Sequence, residues 1–148
     1  MVIMLILFLS LIWLTDALKR VAEPDASTRF ISAVFDLYFG WITVATIANA
    51  TALLVALDID MSVFTEAEWT SYMIYTASVV ALFVALKRKT WIYLLPILWA
   101  FYGIHAKHKA DWGFRSSYPE VMTSLQIGFG ALLVLLLITA LKPRLKNS

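Results

Sequence analysis

Three groups of side chains have the types and spacing for chemistry. The first lies in "LYFGWITVATIAN", Leu37 to Asn49, an uncharged apolar run that also holds Tyr38, Gly40, Trp41, Thr43, Thr46 and Asn49. On a helical period Tyr38, Trp41, Ala45, Asn49 and Ala52 fall roughly on one face, with Gly40, Thr43 and Ala50 close by. Such a face reads either as a helix-packing surface or as one wall of a ligand pocket. The second group is Asp16 and Asp36, near Lys19, Arg20 and Arg29. A carboxylate beside an apolar run either pairs with a neighbouring cation or handles a proton or ion. The third is His105 and His108 with Asp111, a thin set for a metal and better read as a solvated helix end.

Reaction chemistry finds little else to stand on. The chain has no cysteine, which excludes disulfides, thiolate metal sites and Cys nucleophiles. It has no nucleophile elbow, P-loop, dinucleotide turn or His-rich metal site. The expectation is a protein that is not an enzyme and has no resident metal.

The elements that must position these groups are membrane helices. Across 148 residues the apolar fraction is 61%, the charged fraction 15% and the mean hydropathy +0.81, against about 45–50% apolar in a soluble globular domain. Five runs are long enough to cross a hydrocarbon core of about 30 Å: Val2 to Leu18, Ile31 to Leu57, Trp69 to Leu86, Trp91 to Ala106 and Val121 to Leu141. They are continuous rather than alternating, and backbone in lipid must be satisfied within its own segment, so they are helices. The fold class is all-α, one transmembrane domain over residues 1–148 built as a bundle of about five helices. "TEAE" (Thr65 to Glu68) and "SYPE" (Ser117 to Glu120) each match a capping box, and Pro96 predicts a kink in the interior of the fourth helix. The first run has no Lys or Arg before it and no clear small-x-small site after it, so it reads as a retained helix.

Lys and Arg placement sets the expected orientation. The first loop (Lys19, Arg20, Arg29), "KRK" (Lys87 to Lys89) and the tail (Lys142, Arg144, Lys146) carry nine of the twelve Lys and Arg residues. The second loop is acidic, with Asp58, Asp60, Glu66 and Glu68. Amino terminus outside and carboxyl terminus inside follows. The basic runs suit anionic lipid rather than nucleic acid. The expected partners are the bilayer and other membrane subunits or a second copy of the chain.

Helix packing in lipid favours small residues and hydroxyl or amide groups. On that basis Gly40, Thr43, Ala48 and Ala52 are packing positions of the second helix. Gly128 and Gly130 mark a close approach of the fifth. Trp13, Trp69, Trp91 and Trp112 lie near span ends, where aromatic belts form. Trp41 and Trp99 lie well inside, which predicts that the second and fourth helices meet at these two indoles around any cavity.

The Leu37–Asn49 stretch resembles the last transmembrane helix of the TspO/translocator family, the tryptophan-rich sensory proteins, whose motif is close to P-Y-L-x-W-x-x-F-A-T-x-L-N. Tyr38, Trp41, Ala45, Thr46 and Asn49 coincide in register; Leu37, Val44 and Ala48 depart from it. The likeness is greatest to longer bacterial members with extra helices, which implies a bacterial cell membrane. The resemblance implies binding of a tetrapyrrole, of porphyrin or haem type, or of another flat apolar ligand. It places Trp41, Ala45 and Asn49 in the wall of the pocket; Tyr38 on the same helix face and, from the fourth helix, Trp99 are the further candidate lining residues. The alternative is a noncatalytic accessory subunit that uses the same face to pack within a larger membrane complex.

Overall fold

In the computed structural model, which describes residues 2–20, 25–57 and 65–145, the chain forms five α-helices: α1 (Val2–Lys19), α2 (Ala26–Ala56), α3 (Glu66–Arg88), α4 (Leu94–Lys109) and α5 (Pro119–Leu145). No strand occurs among the described residues. Asp58, Asp60 and Lys146, counted above toward orientation, lie outside them. Four helices, α1, α2, α3 and α5, are long and apolar enough to cross a membrane. At 16 residues α4 is shorter, about 24 Å at 1.5 Å per residue.

Local chemistry explains the boundaries. The capping box at Thr65 forms: the Glu68 amide donates to Thr65 Oγ1 at 3.2 Å, and the Thr65 amide donates to Glu68 Oε2 at 2.8 Å. The one expected at Ser117 does not form. α5 starts at Pro119, so Ser117 lies one residue too early to cap it, and its hydroxyl donates to the Phe114 carbonyl instead at 2.5 Å. The fourth helix begins three residues later than expected, after a turn through Trp91 and Ile92. That shift moves Pro96 into its first turn, where no intrahelical amide bond is lost. The expected interior kink is replaced by a helix start that a proline fits.

Packing is organised around α4 and the inner faces of α2, α3 and α5. Tyr93, Leu94, Ile97 and Phe101 are buried, as are Val121, Leu125 and Leu132 of α5. On α3 the inward stripe is Ala77, Ala81 and Ala85, spaced by four, so α5 can approach closely in the absence of a hydrophobic driving force. α5 approaches α3 and α4 at Gly128, where an added Cβ would come within 2.6 Å of Ser78 Oγ and 2.9 Å of Phe101 Cε2. Gly130, two residues on, has nothing within 4 Å and is not a packing position. α1 is peripheral. It packs on α2, with Phe8 and Phe39 at 5.3 Å, and leaves Val2, Ile3, Ile6, Leu9 and Trp13 exposed to the bilayer side.

Candidate functional site: the α2/α4 groove and the charged cluster beneath it

The inward face of α2 is built from Asp36, Phe39, Gly40, Ile42 and Thr43, all buried. Phe39 is its hub. Its ring lies 5.1 Å from that of Tyr93 and 5.3 Å from that of Phe8, and the Arg88 guanidinium sits over it at 5.0 Å. Gly40 packs directly on the Tyr93 carbonyl and the Pro96 ring, with no room for a side chain. The Tyr93 hydroxyl donates to Thr43 Oγ1 at 3.0 Å, and Thr43 donates to the Phe39 carbonyl at 2.8 Å. Gly40 and Thr43 thus lock α2 to the start of α4.

The ring-and-amide face lies on the other side of α2. Trp41 is 52% exposed and Tyr38 42% exposed. Asn49 is exposed too, and its amide donates to the Ala45 carbonyl of its own helix at 2.8 Å. The expectation that this stripe points to the interior of the bundle is corrected within this chain. The reason is angular: at about 100° per residue, Trp41 stands about 200° around the helix from both Phe39 and Thr43. With Phe39 and Thr43 turned to α4 and buried, the line from Trp41 through Ala45 to Asn49 lies on the other side of α2. Ala48 borders a cavity of about 270 Å³ between α2, α3 and α4, together with Met73, Ala77 and Phe101. Ala52 faces outward and is not a packing position in this bundle.

Trp41 and Trp99 nevertheless share one groove. It has a volume of about 700 Å³, opens toward the membrane side and is lined by Val34, Leu37, Tyr38 and Trp41 from α2 and by Leu95, Pro96 and Trp99 from α4. Trp99 is 68% exposed and lies 6.0 Å from the Tyr102 ring. Of the five residues the sequence placed in a pocket, Tyr38, Trp41 and Trp99 come together here, and Ala45 and Asn49 do not border it. The lining includes no imidazole, sulfur or charged group. Its chemistry is aromatic faces, aliphatic walls and one phenol.

A charged cluster sits at one end of the bundle. Arg88 at the end of α3 pairs with Asp16 at 3.0 Å and donates to the Ile12 carbonyl at 3.0 Å and to the Thr15 hydroxyl. Lys19 approaches Asp36 at 3.9 Å and donates to the Arg88 carbonyl at 2.9 Å. Arg88 was grouped by sequence with lipid-facing cations, yet only 7% of its side chain is exposed. The α1 carboxylate and a cation from a distant helix are what the structure joins. Nothing in the spacing of "KRK" distinguishes the middle residue, but its position one helical turn past Ala85, at the end of the inward alanine stripe, does.

His108 also departs from its solvated reading. It is buried, its Nδ1 lies 2.9 Å from the Ile104 carbonyl, and its ring packs at 4.7 Å on Phe114. The loop after α4 folds back over the helix end, with the Ser116 amide donating to the His108 carbonyl at 2.7 Å. His105 points elsewhere, bordering a groove with Gln126 and Phe129. Among the described residues no three His, Asp or Glu side chains converge as metal ligands.

Helices long and apolar enough to cross a membrane, packed through small residues with aromatic grooves between them, define an integral membrane helical bundle. The model for the family of TSPO-like proteins matches residues 1–140, and the chain belongs to that family. The match runs from α1 into α5, well beyond the Leu37–Asn49 stretch. No curated protein and no solved structure matches the chain.

Proposed function

We propose that the chain is a noncatalytic binding or sensory protein that takes a flat, apolar ligand, of tetrapyrrole type, in the groove between α2 and α4. The observation that carries this reading is the convergence of Trp41 and Trp99 on one groove of about 700 Å³, within the range of about 300–1,000 Å³ for small-molecule sites. Indole faces favour offset stacking on a flat π-system. The lining has no imidazole or sulfur, and its one oxygen able to reach an iron axially is the Tyr38 phenol, so recognition rests on stacking and a metal-free porphyrin is expected to bind. Titration of the purified chain with a metal-free porphyrin, followed by tryptophan fluorescence, tests it. Saturable quenching weakened at least tenfold, about 1.4 kcal/mol, by Trp41→Ala and by Trp99→Ala supports the site. Linear, unsaturable quenching overturns it. The orientation that goes with this reading, amino terminus outside, is supported by the bias of Lys and Arg toward one set of loops.

A second reading rests on Asn49. Its amide is exposed and, among the described residues, bonds to its own helix at the Ala45 carbonyl, and an amide in lipid is a contact for another helix. In that case the outer face of α2 joins a membrane subunit or a second copy, and Asn49→Leu dissociates a complex without changing porphyrin binding.

A further inference from the structure

A second groove, of about 330 Å³, runs between α4 and α5, bordered by Phe101, Tyr102 and His105 of α4 and by Gln126, Phe129 and Gly130 of α5. Phe101 is buried and closes its inner side. Tyr102, Gln126 and Gly130 are exposed, so the groove opens away from the bundle. Gln126 lies about 10 Å along the α5 span from Pro119, which puts that opening within the membrane. Neither His105 nor Gln126 has a hydrogen-bond partner among the described residues. Other polar side chains of α5 satisfy themselves: Thr123, Ser124 and Thr139 each donate to a carbonyl of their own helix. In water an unbonded exposed amide needs no explanation. In lipid it carries the full cost of a polar group without a partner, and an imidazole facing the same groove points to a shared one.

The two groups define what that partner is made of. A carboxamide offers two N–H donors and a neutral imidazole one. No Lys, Arg, Asp or Glu borders the groove, so it holds no counter-charge for an ion and suits a neutral molecule with acceptor oxygens. The rings of Phe101, Tyr102 and Phe129 offer faces and edges to a flat ring. The volume is less than half that of the α2/α4 groove, room for a small ring system rather than a macrocycle. Beside Gly130 the space is open, since an added Cβ would meet nothing within 4 Å, and an apolar tail can leave along α5 into lipid. A flat neutral ring with carbonyl oxygens and an apolar tail is a quinone. We propose that the α4/α5 groove binds the head ring of a lipid-soluble quinone, with Gln126 and His105 donating to its carbonyl oxygens and the ring lying against Phe101, Tyr102 and Phe129. This site is separate from the α2/α4 groove and does not depend on that groove's ligand.

The test uses the full chain in phosphatidylcholine nanodiscs, titrated with menadione and followed by the side-chain resonances of His105 and Gln126. The chain's single glutamine gives one carboxamide pair to follow, and the absence of cysteine removes thiol addition to the quinone. Saturable shifts of both side chains are expected. Affinity is expected to be at least about tenfold weaker for 2-methylnaphthalene, the same ring without its oxygens, and for menadione in Q126L and in H105F. Each variant is read at the side chain that remains. Leu and Phe suit a lipid-facing position, so both variants fold, which unchanged helicity and melting temperature verify. W41A leaves the affinity unchanged, which separates this site from the α2/α4 groove. Equal affinity for the naphthalene, unchanged affinity in both groove variants, or no saturable shift overturns the proposal. Dissociation of a dimer by Q126L, with no menadione shift at Gln126 in the parent chain, assigns the groove to a second copy and overturns it as well.

Discussion

Gly40 is where a single atom decides how α2 and α4 meet. A methyl there runs into the Tyr93 carbonyl and the Pro96 ring, backbone and a rigid ring that cannot swing aside. Gly40→Ala is expected to destabilise by about 1–3 kcal/mol, the ordinary cost of overpacking, in denaturant unfolding from mixed micelles. Gly103→Ala, where nothing lies within 4 Å, is expected to be neutral or to stabilise by up to about 1 kcal/mol through helix propensity. The aromatic and amide residues of α2 were legible by type but not by direction. In a soluble helix the polar face announces solvent. In lipid both the core face and the outer face are apolar, so Phe39 and Trp41 look alike until the neighbours are known. Gly40 was a clue of another kind, because a glycine inside a helix allows a second backbone to come close. Gly103 and Gly130 meet no neighbour, and they show that the residue type alone does not identify such a contact.

At the scale of elements, one of the two local caps, at Thr65, was readable and the other, at Ser117, was displaced by the loop's own bond to the Phe114 carbonyl. Charge pairing between distant helices was not readable at all. The Thr65 box formed as spaced. The Arg88 cluster joins α3 to α1, and no local pattern encodes that. Arg88→Met is expected to cost about 1.5–3 kcal/mol, mainly from lost bonds of a charged donor to Ile12 and Thr15. The Asp16 pair adds little, because that carboxylate is 48% exposed and screened by water. The start of α2 carries a pH dependence. Asp25 is held below its ordinary pKa by the Thr28 hydroxyl and then the Thr28 amide, which donates to Asp25 Oδ1 at 2.8 Å. A lowered folded value means that the carboxylate supports this turn above the ordinary carboxylate range. That support disappears as pH falls through the lowered value. Amide exchange at Thr28 is expected to accelerate on acidification, and Asp25→Asn to remove that extra pH dependence.

For the molecule as a whole, hydropathy gave the class and the helix count, and α4 shows its limit. It is the shortest helix and among the most buried, with Leu94, Ile97 and Phe101 inward and Trp99 turned to the groove. It acts as the bundle's inner wall, so its short, proline-headed sequence reflects contact with protein more than with lipid. The account's central claim is that α2 and α4 form a ligand site at Trp41 and Trp99. Photolabelling the full chain in nanodiscs with a diazirine-bearing porphyrin, and mapping the adducts by peptide mass spectrometry, measures this directly. Adducts concentrated between residues 34 and 41 and between 95 and 99, displaced by excess unlabelled porphyrin, are the predicted result. Adducts spread along α1 and the outer faces, or confined to the groove between α4 and α5 and undiminished by competitor, would contradict it.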